Sequence, residues 1–485
     1  MKQVVIDMQQ QRDEGRLGTG VPGLDAILHG GLIPGSVFIV QGAPGAGKTI
    51  LANQICFHHA RTGNKALYVT LLAESHDRLL SHLGRLAFFD PRQVPESIYF
   101  ISSFDTLARD GLKGVLQLLR SESRERQASL IVLDGLFALE ETAQSAKEFR
   151  KFINDLTTLA GLIGCTMLLL TNTGRCCTES VEYTMVDGWI ELELRQLAQR
   201  AERSVRVLKY RGSGFLEGRH TLCIDGGGMH VYPRLEALAE DRLQLPLSGS
   251  RLGTGIAGLD RALEGGLPSA TATLLVGPTG IGKTIMGLHF MAGSSADEPG
   301  LIFNCYETAE QIRAKGVALG LAELIDAGHV QVERVAPTEQ RLDVLAHRLL
   351  EQVRARGVRR LLVDGIDGFS QAAADAERLP QFLAALSAAL CKEGVTTLYT
   401  LEHPVLAQAG GSVAGTLASA VQNIVVMRYV EMDSELRRAV AVLKVRDSSF
   451  DRRIRELDIT PQGVRIGEAL PPGTFSWDVP AMHKT

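Results

Sequence analysis

An internal repeat is the feature that most constrains the fold of this 485-residue chain. The segment RLGTGVPGLD at residues 16–25 returns as RLGTGIAGLD at residues 251–260. The octet GAPGAGKT at residues 42–49 returns as GPTGIGKT at residues 277–284, at the same interval. Each copy has the size of one α/β domain. The chain is therefore predicted to contain two copies of one domain.

The junction between the copies is predicted in residues 235–250. Their sequence, LEALAEDRLQLPLSGS, passes from a charged stretch to Pro246 and a Ser-Gly-Ser run, which is typical of a turn or linker. We therefore expect five segments: an N-terminal extension (1–13), a first domain (14–240), a linker (241–250), a second domain (251–470) and a short C-terminal tail (471–485).

Short apolar runs alternate with amphipathic stretches in both halves. Such runs, without an alternation of apolar and polar residues, are typical of parallel strands that are buried on both faces. The pattern predicts an α/β fold in each half, with a mostly parallel central sheet. The predicted strands are 37–40, 66–70, 130–133, 167–171, 189–194 and 205–210 in the first half, and 273–276, 301–303, 361–363, 397–401, 425–430 and 440–446 in the second.

Both octets match the phosphate-loop pattern G-x-x-x-x-G-K-[ST], and each stands between an apolar run and a helical stretch. The glycines let backbone N–H groups surround a phosphate, and the following helix adds the positive end of its dipole. Lys48 and Lys283 are expected to reach the β- and γ-phosphates of ATP, and Thr49 and Thr284 to bind Mg²⁺. Duplication favours this interpretation over an accidental glycine turn. The predicted nucleotide-binding residues are Gly42, Gly45, Ala46, Gly47, Lys48, Thr49 and Ile50, with Gly277, Gly280, Ile281, Gly282, Lys283, Thr284 and Ile285.

Two aspartates directly follow buried-strand patterns. Asp134 directly follows the apolar run LIVL, and Asp364 directly follows LLV. Both are therefore predicted at the carboxyl end of a strand, where parallel sheets bind ligands. A role in holding Mg²⁺ is the favoured interpretation. The alternative is a turn aspartate, because a glycine follows each of them.

Two glutamates are candidates for activating the water that attacks ATP. Glu74 and Glu307 each lie beyond the strand that follows a phosphate-loop helix. A carboxylate there would orient and deprotonate water, whereas the alternative is an exposed acidic loop.

Charge and cysteine content exclude several classes of protein. Lys and Arg total 51 against 55 for Asp and Glu, a formal charge of −4, which argues against a strongly basic nucleic-acid binder. Seven cysteines without a C-x-x-C pair indicate neither a zinc site nor a disulfide framework, and a reducing cytoplasm fits best. No apolar run approaches the ~20 residues of a membrane span, so no membrane association is expected.

A DNA-handling ATPase remains the alternative, because arginines cluster before two predicted strands. Acidic residues are interleaved with them and no aromatic platform accompanies them, so they are interpreted as solvated helix ends. The clusters comprise Arg120, Arg124 and Arg126, and Arg354, Arg356, Arg359 and Arg360.

The phosphate loops, the strand-end glutamates and the RLGTG…GLD openings resemble the KaiC family of circadian-clock ATPases in the RecA superfamily. The resemblance extends from about residue 14 to about residue 470. It implies two tandem RecA-like P-loop NTPase domains that use ATP and Mg²⁺, in a homohexamer of two stacked rings with ATP at the subunit interfaces. It also implies that two late K-x-R sequences, Lys209 with Arg211 and Lys444 with Arg446, reach the γ-phosphate bound by a neighbouring subunit.

The chain departs from that family at three places. The family has two adjacent glutamates where each half here has one. Its phosphorylated Ser and Thr correspond to Ala418 and Ser419, which leaves Ser419 as the candidate phosphoacceptor, with Gln422 in place of an acid. The short tail argues against a KaiA-like partner. A KaiB-like or other signalling protein is a candidate partner.

Slow hydrolysis that controls ring assembly is a further interpretation, compatible with the resemblance. Where a sensor of the γ-phosphate is expected, the first half has Thr171 and Asn172 and the second has Glu402 and His403.

Overall fold

The computed structural model describes residues 15–71, 76–172, 182–197, 200–238, 249–336, 341–373, 375–402, 417, 419–432 and 434–471. The chain divides between Leu238 and Ala239 into two compact units. In the described part, no helix is long and apolar enough to cross a membrane. Among the same residues, the five cysteines are free thiols.

The first unit contains nine strands and eight α-helices among its described residues, with a 3-10 helix at Pro91–Gln93. The strands are β1 (Val37–Gly42), β2 (Ala66–Thr70), β3 (Ile98–Ser102), β4 (Leu130–Asp134), β5 (Thr166–Thr171), β6 (Gly188–Leu197), β7 (Arg200–Tyr210), β8 (His220–Asp225) and β9 (Gly228–Tyr232). The helices are α1 (Leu24–Ile27), α2 (Lys48–Arg61), α3 (His76–Leu83), α4 (Phe104–Arg126), α5 (Leu136–Thr142), α6 (Ala146–Ile163), α7 (Glu182–Met185) and α8 (Leu235–Leu238).

The second unit repeats this order of strands, and its first two short strands pair antiparallel where the first unit has a single antiparallel bridge between Leu17 and Leu32. Its strands are β10 (Arg251–Leu252), β11 (Leu267–Pro268), β12 (Ala272–Gly277), β13 (Gly300–Asn304), β14 (Val330–Arg334), β15 (Arg360–Asp364), β16 (Thr396–Glu402), β17 (Asn423–Met432), β18 (Glu435–Val445), β19 (Arg455–Thr460) and β20 (Gly463–Ala469). Its helices are α9 (Ala257–Ala262), α10 (Lys283–Met291), α11 (Ala309–Gly316), α12 (Leu321–Asp326), α13 (Leu342–Arg356), α14 (Asp367–Ala372) and α15 (Leu379–Lys392).

Both units are built on a nine-stranded sheet with the same topology. The strand order is β3-β2-β4-β5-β1-β6-β7-β8-β9 in the first unit and β14-β13-β15-β16-β12-β17-β18-β19-β20 in the second. In each sheet the first six strands run parallel and the last three pair antiparallel. This confirms the predicted α/β class: the chain has two tandem RecA-like domains with mostly parallel sheets.

The parallel strands form because both of their faces are covered. Phe38 and Val40 of β1 face a cluster that includes Leu51 and Ile55 of the phosphate-loop helix α2. Val37 and Ile39 face the opposite cluster, which includes residues of α4 and α6. Each fully buried aliphatic side chain contributes roughly 1.5–3 kcal/mol relative to an exposed one, so strands without a polar face are stable only in such a layer.

The strands at the sheet edges were not predicted from the sequence. At one edge, β3 and β14 are half-buried and partly polar. At the other edge, the last two strands of each sheet, β8 with β9 and β19 with β20, come after polar turns. A mixed pattern of this kind does not distinguish an edge strand from a loop.

Arg360 contradicts the interpretation of the arginine clusters as solvated helix ends. It begins β15 and is only 6% exposed. Its guanidinium donates to the carbonyls of Gly253 and Phe290 at 2.9 and 3.3 Å and pairs with Glu298 at 3.1 Å. Burial forces a charged group to find such partners, and the sequence around Arg360 does not reveal them because they are distant along the chain. The other arginines of the clusters lie at exposed or half-buried positions.

One residue of each phosphate-loop helix connects the loop before the first helix of its unit with the β-hairpin at the end of the sheet, β8–β9 in the first unit and β19–β20 in the second. Gln54 donates to the Gly20 carbonyl at 3.2 Å and accepts from the Met229 N–H at 2.7 Å. His289 occupies the equivalent position in the second copy and accepts from the Val464 N–H at 2.7 Å through Nε2. Burial lowers the pKa of His289, and a hydrogen bond with the Gly255 backbone partly opposes this shift.

His289 makes the stability of the second unit sensitive to acid. Because its pKa is lowered by folding, its stabilising contribution is complete above the unfolded value of 6.5 and is lost as the pH falls below that value. We expect His289→Gln, which copies Gln54, to make the free energy of unfolding of the second unit less dependent on pH between 7 and about 5. Denaturant titrations over this range measure the effect. Gln54→His, the matched control, should give the first unit the same acid sensitivity, and parallel pH profiles for wild type and His289→Gln would contradict the assignment.

Candidate functional site

The first phosphate loop joins the carboxyl end of β1 to the first residue of α2. Its turn requires glycine at two positions, because Gly45 and Gly47 have φ values of +79° and +110°. A Cβ atom on Gly47 would also lie 2.8 Å from Ile224 Cδ1. The backbone N–H groups of the loop and the start of the 14-residue helix α2 therefore form a cradle of the kind that binds phosphate.

Lys48 is held at the mouth of this loop. Its Nζ donates to the carbonyls of Gly42 and Ala43 at 2.6 and 3.2 Å and to Asn172 Oδ1 at 3.0 Å. Burial lowers the pKa of Lys48, whereas the negative charge of Asp134 raises it. An ammonium group that rests on neutral carbonyl and amide oxygens remains available to a phosphate.

Asp134 lies beside this loop, at the carboxyl end of β4. Its Oδ2 accepts from Tyr68 OH at 2.7 Å and from Thr49 Oγ1 at 3.4 Å. Burial, followed by the charge of Asp134, raises the pKa of Tyr68 well above its usual range, so this phenol acts as a hydrogen-bond donor.

The second loop has the same backbone geometry. Gly280 and Gly282 have φ values of +77° and +110°. Lys283 Nζ donates to the carbonyls of Gly277 and Pro278 at 2.8 and 2.9 Å. Burial lowers the pKa of Lys283, and the carboxylates of Glu402, Asp364 and Asp367 oppose this shift.

Asp364 is more enclosed than its counterpart and is held by different residues. Thr284 Oγ1 donates to Oδ2 at 2.9 Å, and Thr400 Oγ1 donates to Oδ1 at 2.6 Å. Thr400 in turn accepts from the Gly365 N–H at 2.8 Å. Burial raises the pKa of Asp364, and the hydrogen bonds from the two threonines partly offset this shift.

These donor sets fit a hard divalent cation beside a phosphate. Each unit places a threonine hydroxyl and a strand-end carboxylate within hydrogen-bond distance of each other, next to a phosphate-loop lysine. Hydroxyl and carboxylate oxygens are ligands that Mg²⁺ accepts, with water and phosphate oxygens completing its coordination. Thr49 with Asp134 and Thr284 with Asp364 are thus the residues that would hold Mg²⁺.

The structure describes one of the two predicted catalytic glutamates, because Glu74 lies outside the described residues. Glu307 follows β13 and pairs with Lys315 at 2.5 Å through Oε1. Its Oε2 atom is buried and has no hydrogen-bond partner among the described residues. The Asn304 side chain bonds the N–H and the carbonyl of Glu307, and Asn304 pairs with Asp364 on the neighbouring strand. The charge of Glu307 also raises the pKa of Asp364.

The predicted K-x-R residues lie at the other end of each sheet. Lys209 pairs with Trp189 and Lys444 with Ile424, at the amino ends of β6 and β17. Lys209 Nζ donates to the carbonyls of Tyr183, Thr184 and Val186 at 3.1, 2.8 and 2.7 Å, and Arg211 donates to the Thr184 carbonyl at 2.6 Å.

The second unit repeats this arrangement. Lys444 Nζ donates to the Val421 carbonyl at 2.8 Å, and Arg446 is exposed. The four basic residues are therefore not brought together with the phosphate loop of their own unit. Ser419 lies at this same edge, exposed, just before β17.

Several residues of the site were not predicted from the sequence. Tyr68 holds the aspartate in the first unit, where the second has Ile302. Thr400 holds it in the second unit, where the first has Leu170. Arg203 was also missed, and its Nε donates to the Gly45 carbonyl of the phosphate loop at 3.3 Å. Tyr68 and Thr400 could have been identified by aligning the two repeats, because each is a polar residue where the other repeat has an aliphatic one.

Both units have a RecA-type sheet that carries a phosphate loop, a threonine hydroxyl and a strand-end carboxylate. This combination defines a P-loop ATPase with two nucleotide sites. The chain belongs to the KaiC family, because the family model described as "ATPase: KaiC" matches residues 17–236 and 252–470.

Among similar proteins, the circadian clock protein KaiC3 of Synechocystis sp. is 25% identical over 486 positions, covering 96% of this chain and 94% of that protein. The circadian clock oscillator protein KaiC of Rippkaea orientalis is 24% identical over 475 positions, covering 94% and 89%.

Thr400 is predicted to be the main hydrogen-bond support of Asp364. Thr400→Val removes a donor to a buried carboxylate and an acceptor for the Gly365 N–H, so it should lower the free energy of unfolding by about 1.5–3 kcal/mol. Thr397→Val is the matched control on the same strand, because the Thr397 hydroxyl is buried without a hydrogen-bond partner among the described residues. That control should change stability by less than about 0.5 kcal/mol or increase it. Equal losses for the two variants in urea titrations would contradict the role of Thr400.

Proposed function

We propose that the chain binds ATP with Mg²⁺ at both phosphate loops and hydrolyses it slowly. The observation that carries this proposal is the convergence, in each unit, of the loop lysine, a threonine hydroxyl and a strand-end aspartate at one sheet edge. Loop N–H groups would bind the β-phosphate, and Lys48 or Lys283 would neutralise charge on the γ-phosphate. Mg²⁺ would supply further charge compensation there, held through the threonine and the aspartate.

Glu307 is the proposed base that orients and deprotonates water in the second unit. Asn304 bonds both the N–H and the carbonyl of Glu307 and pairs with Asp364, and this position beside the strand-end aspartate supports the role. Its ion pair with Lys315 holds the carboxylate at the end of β13. Glu74 is the corresponding proposal for the first unit.

Assembly into a homohexamer, with ATP at the subunit interfaces, is the proposed quaternary state. Lys209, Arg211, Lys444 and Arg446 lie at the sheet edge opposite the phosphate loop of their own unit, so only a neighbouring subunit could bring them to a γ-phosphate. One loop lysine per site leaves the charge of a transferring phosphoryl group incompletely compensated, and basic residues from a neighbour would supply the rest. Hydrolysis would then control ring assembly.

Autophosphorylation of Ser419 is a further proposal for the second unit. Ser419 is exposed at the edge that carries Lys444 and Arg446, so residues that reach a neighbour's γ-phosphate would bring this hydroxyl toward it. The relatives described as circadian clock proteins suggest a signalling or clock-like role in the cytoplasm, with a KaiB-like or other signalling protein as partner.

A DNA-repair or recombination ATPase is the second candidate function. The structure offers it little support, because Arg360 is buried and Arg126 and Arg354 pair with acidic residues at 2.8 and 2.7 Å. Neutralised arginines of this kind contribute little to phosphate binding.

Hydrolysis in the second unit should depend on Glu307. In protein carrying Lys48→Ala, so that only the second loop acts, we expect Glu307→Gln to slow phosphate release from γ-labelled ATP by about 10²–10⁴-fold. Glu310→Gln is the matched control, because Glu310 is an exposed acid on the adjoining helix. The same reactions report protein labelling, which Ser419→Ala should abolish if Ser419 accepts phosphate. Unchanged release in Glu307→Gln would exclude Glu307 as the base.

Mixing two inactive variants tests the interface directly. Lys283→Ala lacks a working second loop, and Arg446→Ala lacks the basic residue offered to a neighbour. With the first loop disabled by Lys48→Ala in both, mixed rings contain interfaces that join an intact loop to an intact arginine, so the mixture should recover a measurable fraction of wild-type hydrolysis. Activity no higher than the mean of the separate variants would show that Arg446 acts within its own subunit or not at all.

A further inference from the structure

A cavity of about 390 Å³ lies in the first unit, at the end of the sheet opposite the phosphate loop. Ser129 directly precedes β4 and Thr166 begins β5, so these two lining residues place the cavity at the amino ends of the strands. Further polar side chains of the lining are His58, His59 and Asn64. Among the described residues that line the cavity there is no aspartate or glutamate. Small-molecule sites commonly have volumes of about 300–1,000 Å³, so the cavity is large enough to be one.

In the second unit, an arginine side chain fills the equivalent space. Leu130 and Arg360 begin the equivalent strands β4 and β15, and each lies four residues before the strand-end aspartate. Arg360 Nη1 donates to the Gly253 carbonyl at 2.9 Å, and Nη2 donates to Glu298 Oε2 at 3.1 Å. The guanidinium also lies against Gly293, where a Cβ atom would be 2.9 Å from Nη1.

The residues around this guanidinium correspond to residues that line the cavity. The pairs are Gly253 with Gly18, Gly293 with His58, and Glu298 with Asn64. The first two pairs are separated by the same interval as the two phosphate loops, and the members of the third lie two residues before β13 and β2. Because the first unit has a leucine in place of the arginine, its cavity corresponds to the space that a guanidinium occupies in the second unit.

The backbone around the cavity favours a cation. Helices α2 and α6 both end there, since His59 in the last turn of α2 and Gly164, which caps α6, belong to the lining. The carbonyl groups at a helix C-terminus carry the negative end of the helix dipole. Asp25 adds a carboxylate behind Gly18, because its Oδ2 atom would be 3.7 Å from a Cβ on that glycine.

The basic residues of the lining are compatible with a bound cation. Arg16 donates to two backbone carbonyls, and Arg251 makes the equivalent two bonds in the second unit, which also holds Arg360. Burial, followed by the charge of His58, lowers the pKa of His59 to about 4, so the His59 imidazole is neutral at pH 7.

We propose that this cavity binds a small molecule through a guanidinium group, at the place that Arg360 fills in the second unit. The Gly18 carbonyl would accept from the ligand as the Gly253 carbonyl accepts from Arg360. Asn64 Oδ1 would accept in place of the Glu298 carboxylate. The cavity lies at the opposite end of the sheet from the phosphate loop, so the proposal does not depend on the proposed function.

Calorimetric titration of the full-length protein with agmatine, which carries a guanidinium and an ammonium group, tests the proposal. We expect agmatine to bind, putrescine, which carries ammonium groups only, to bind at least about tenfold more weakly, and uncharged butylurea not to bind. Asn64→Glu supplies the carboxylate of the second unit and should lower the Kd for agmatine about fivefold. Asn154→Glu makes the same change at an exposed position of α6 outside the cavity, and this matched control should leave the Kd within about twofold.

Two exchanges between the units locate the site. The triple variant His58→Gly, Asn64→Glu, Leu130→Arg gives the first unit the arginine and the surroundings of the second, so it should no longer bind agmatine. Arg360→Gly should open the corresponding space in the second unit, and agmatine should then raise the unfolding temperature of that variant more than that of the wild type.

Four results would overturn the proposal. They are no binding of agmatine to the wild type, equal affinity for putrescine and agmatine, equal effects of Asn64→Glu and Asn154→Glu, and undiminished binding to a triple variant whose circular dichroism matches that of the wild type. The comparison of Asn64→Glu with Asn154→Glu decides the matter even where the triple variant does not fold, because both positions are exposed and neither change disturbs the core.

Discussion

Backbone pairing between parallel strands brings the residues of each site together. Thr70 pairs with Asp134 and Asn304 with Asp364, so both aspartates lie at the carboxyl edge that carries the phosphate loop. A shift of one residue in this register would turn every side chain of a strand to the other face of the sheet. Because both faces are buried, the apolar clusters hold the register, and the geometry of the site is a consequence of packing in the core.

The charged groups at this edge are buried enough to require neutral partners. The two units meet this requirement differently, since Tyr68 reaches the aspartate from one neighbouring strand and Thr400 reaches it from the other. An isolated buried carboxylate would otherwise gain a proton and lose its affinity for a cation. The chemistry of the site therefore depends on donors that take no part in the reaction themselves.

Local patterns in the sequence account for most of what was predicted correctly. The central strands are continuous apolar runs and the phosphate loops are contiguous motifs, so both are visible without tertiary information. Tyr68, Thr400 and Arg360 were missed or wrongly interpreted because their roles depend on partners that are distant along the chain. The edge strands were missed because a half-buried strand and a loop have similar composition. Glu74 and the segment boundaries remain predictions.

Duplication explains why two such similar units carry unequal sites. Each copy must keep the loop, the hydroxyl and the aspartate to bind nucleotide, but residues that surround them are free to change once the other copy performs the same step. Two of the changes lie at or just beyond the carboxyl ends of strands: Asn172 corresponds to Glu402, and Phe137 corresponds to Asp367 in the short helix that follows the strand-end aspartate. They alter the charge of the site without altering the packed sheet. Substitution there changes the local charge at little cost in stability, because the side chains are at or near the surface rather than in the core. Two copies of one fold can therefore carry differently charged sites through a few altered residues at the same sheet edge.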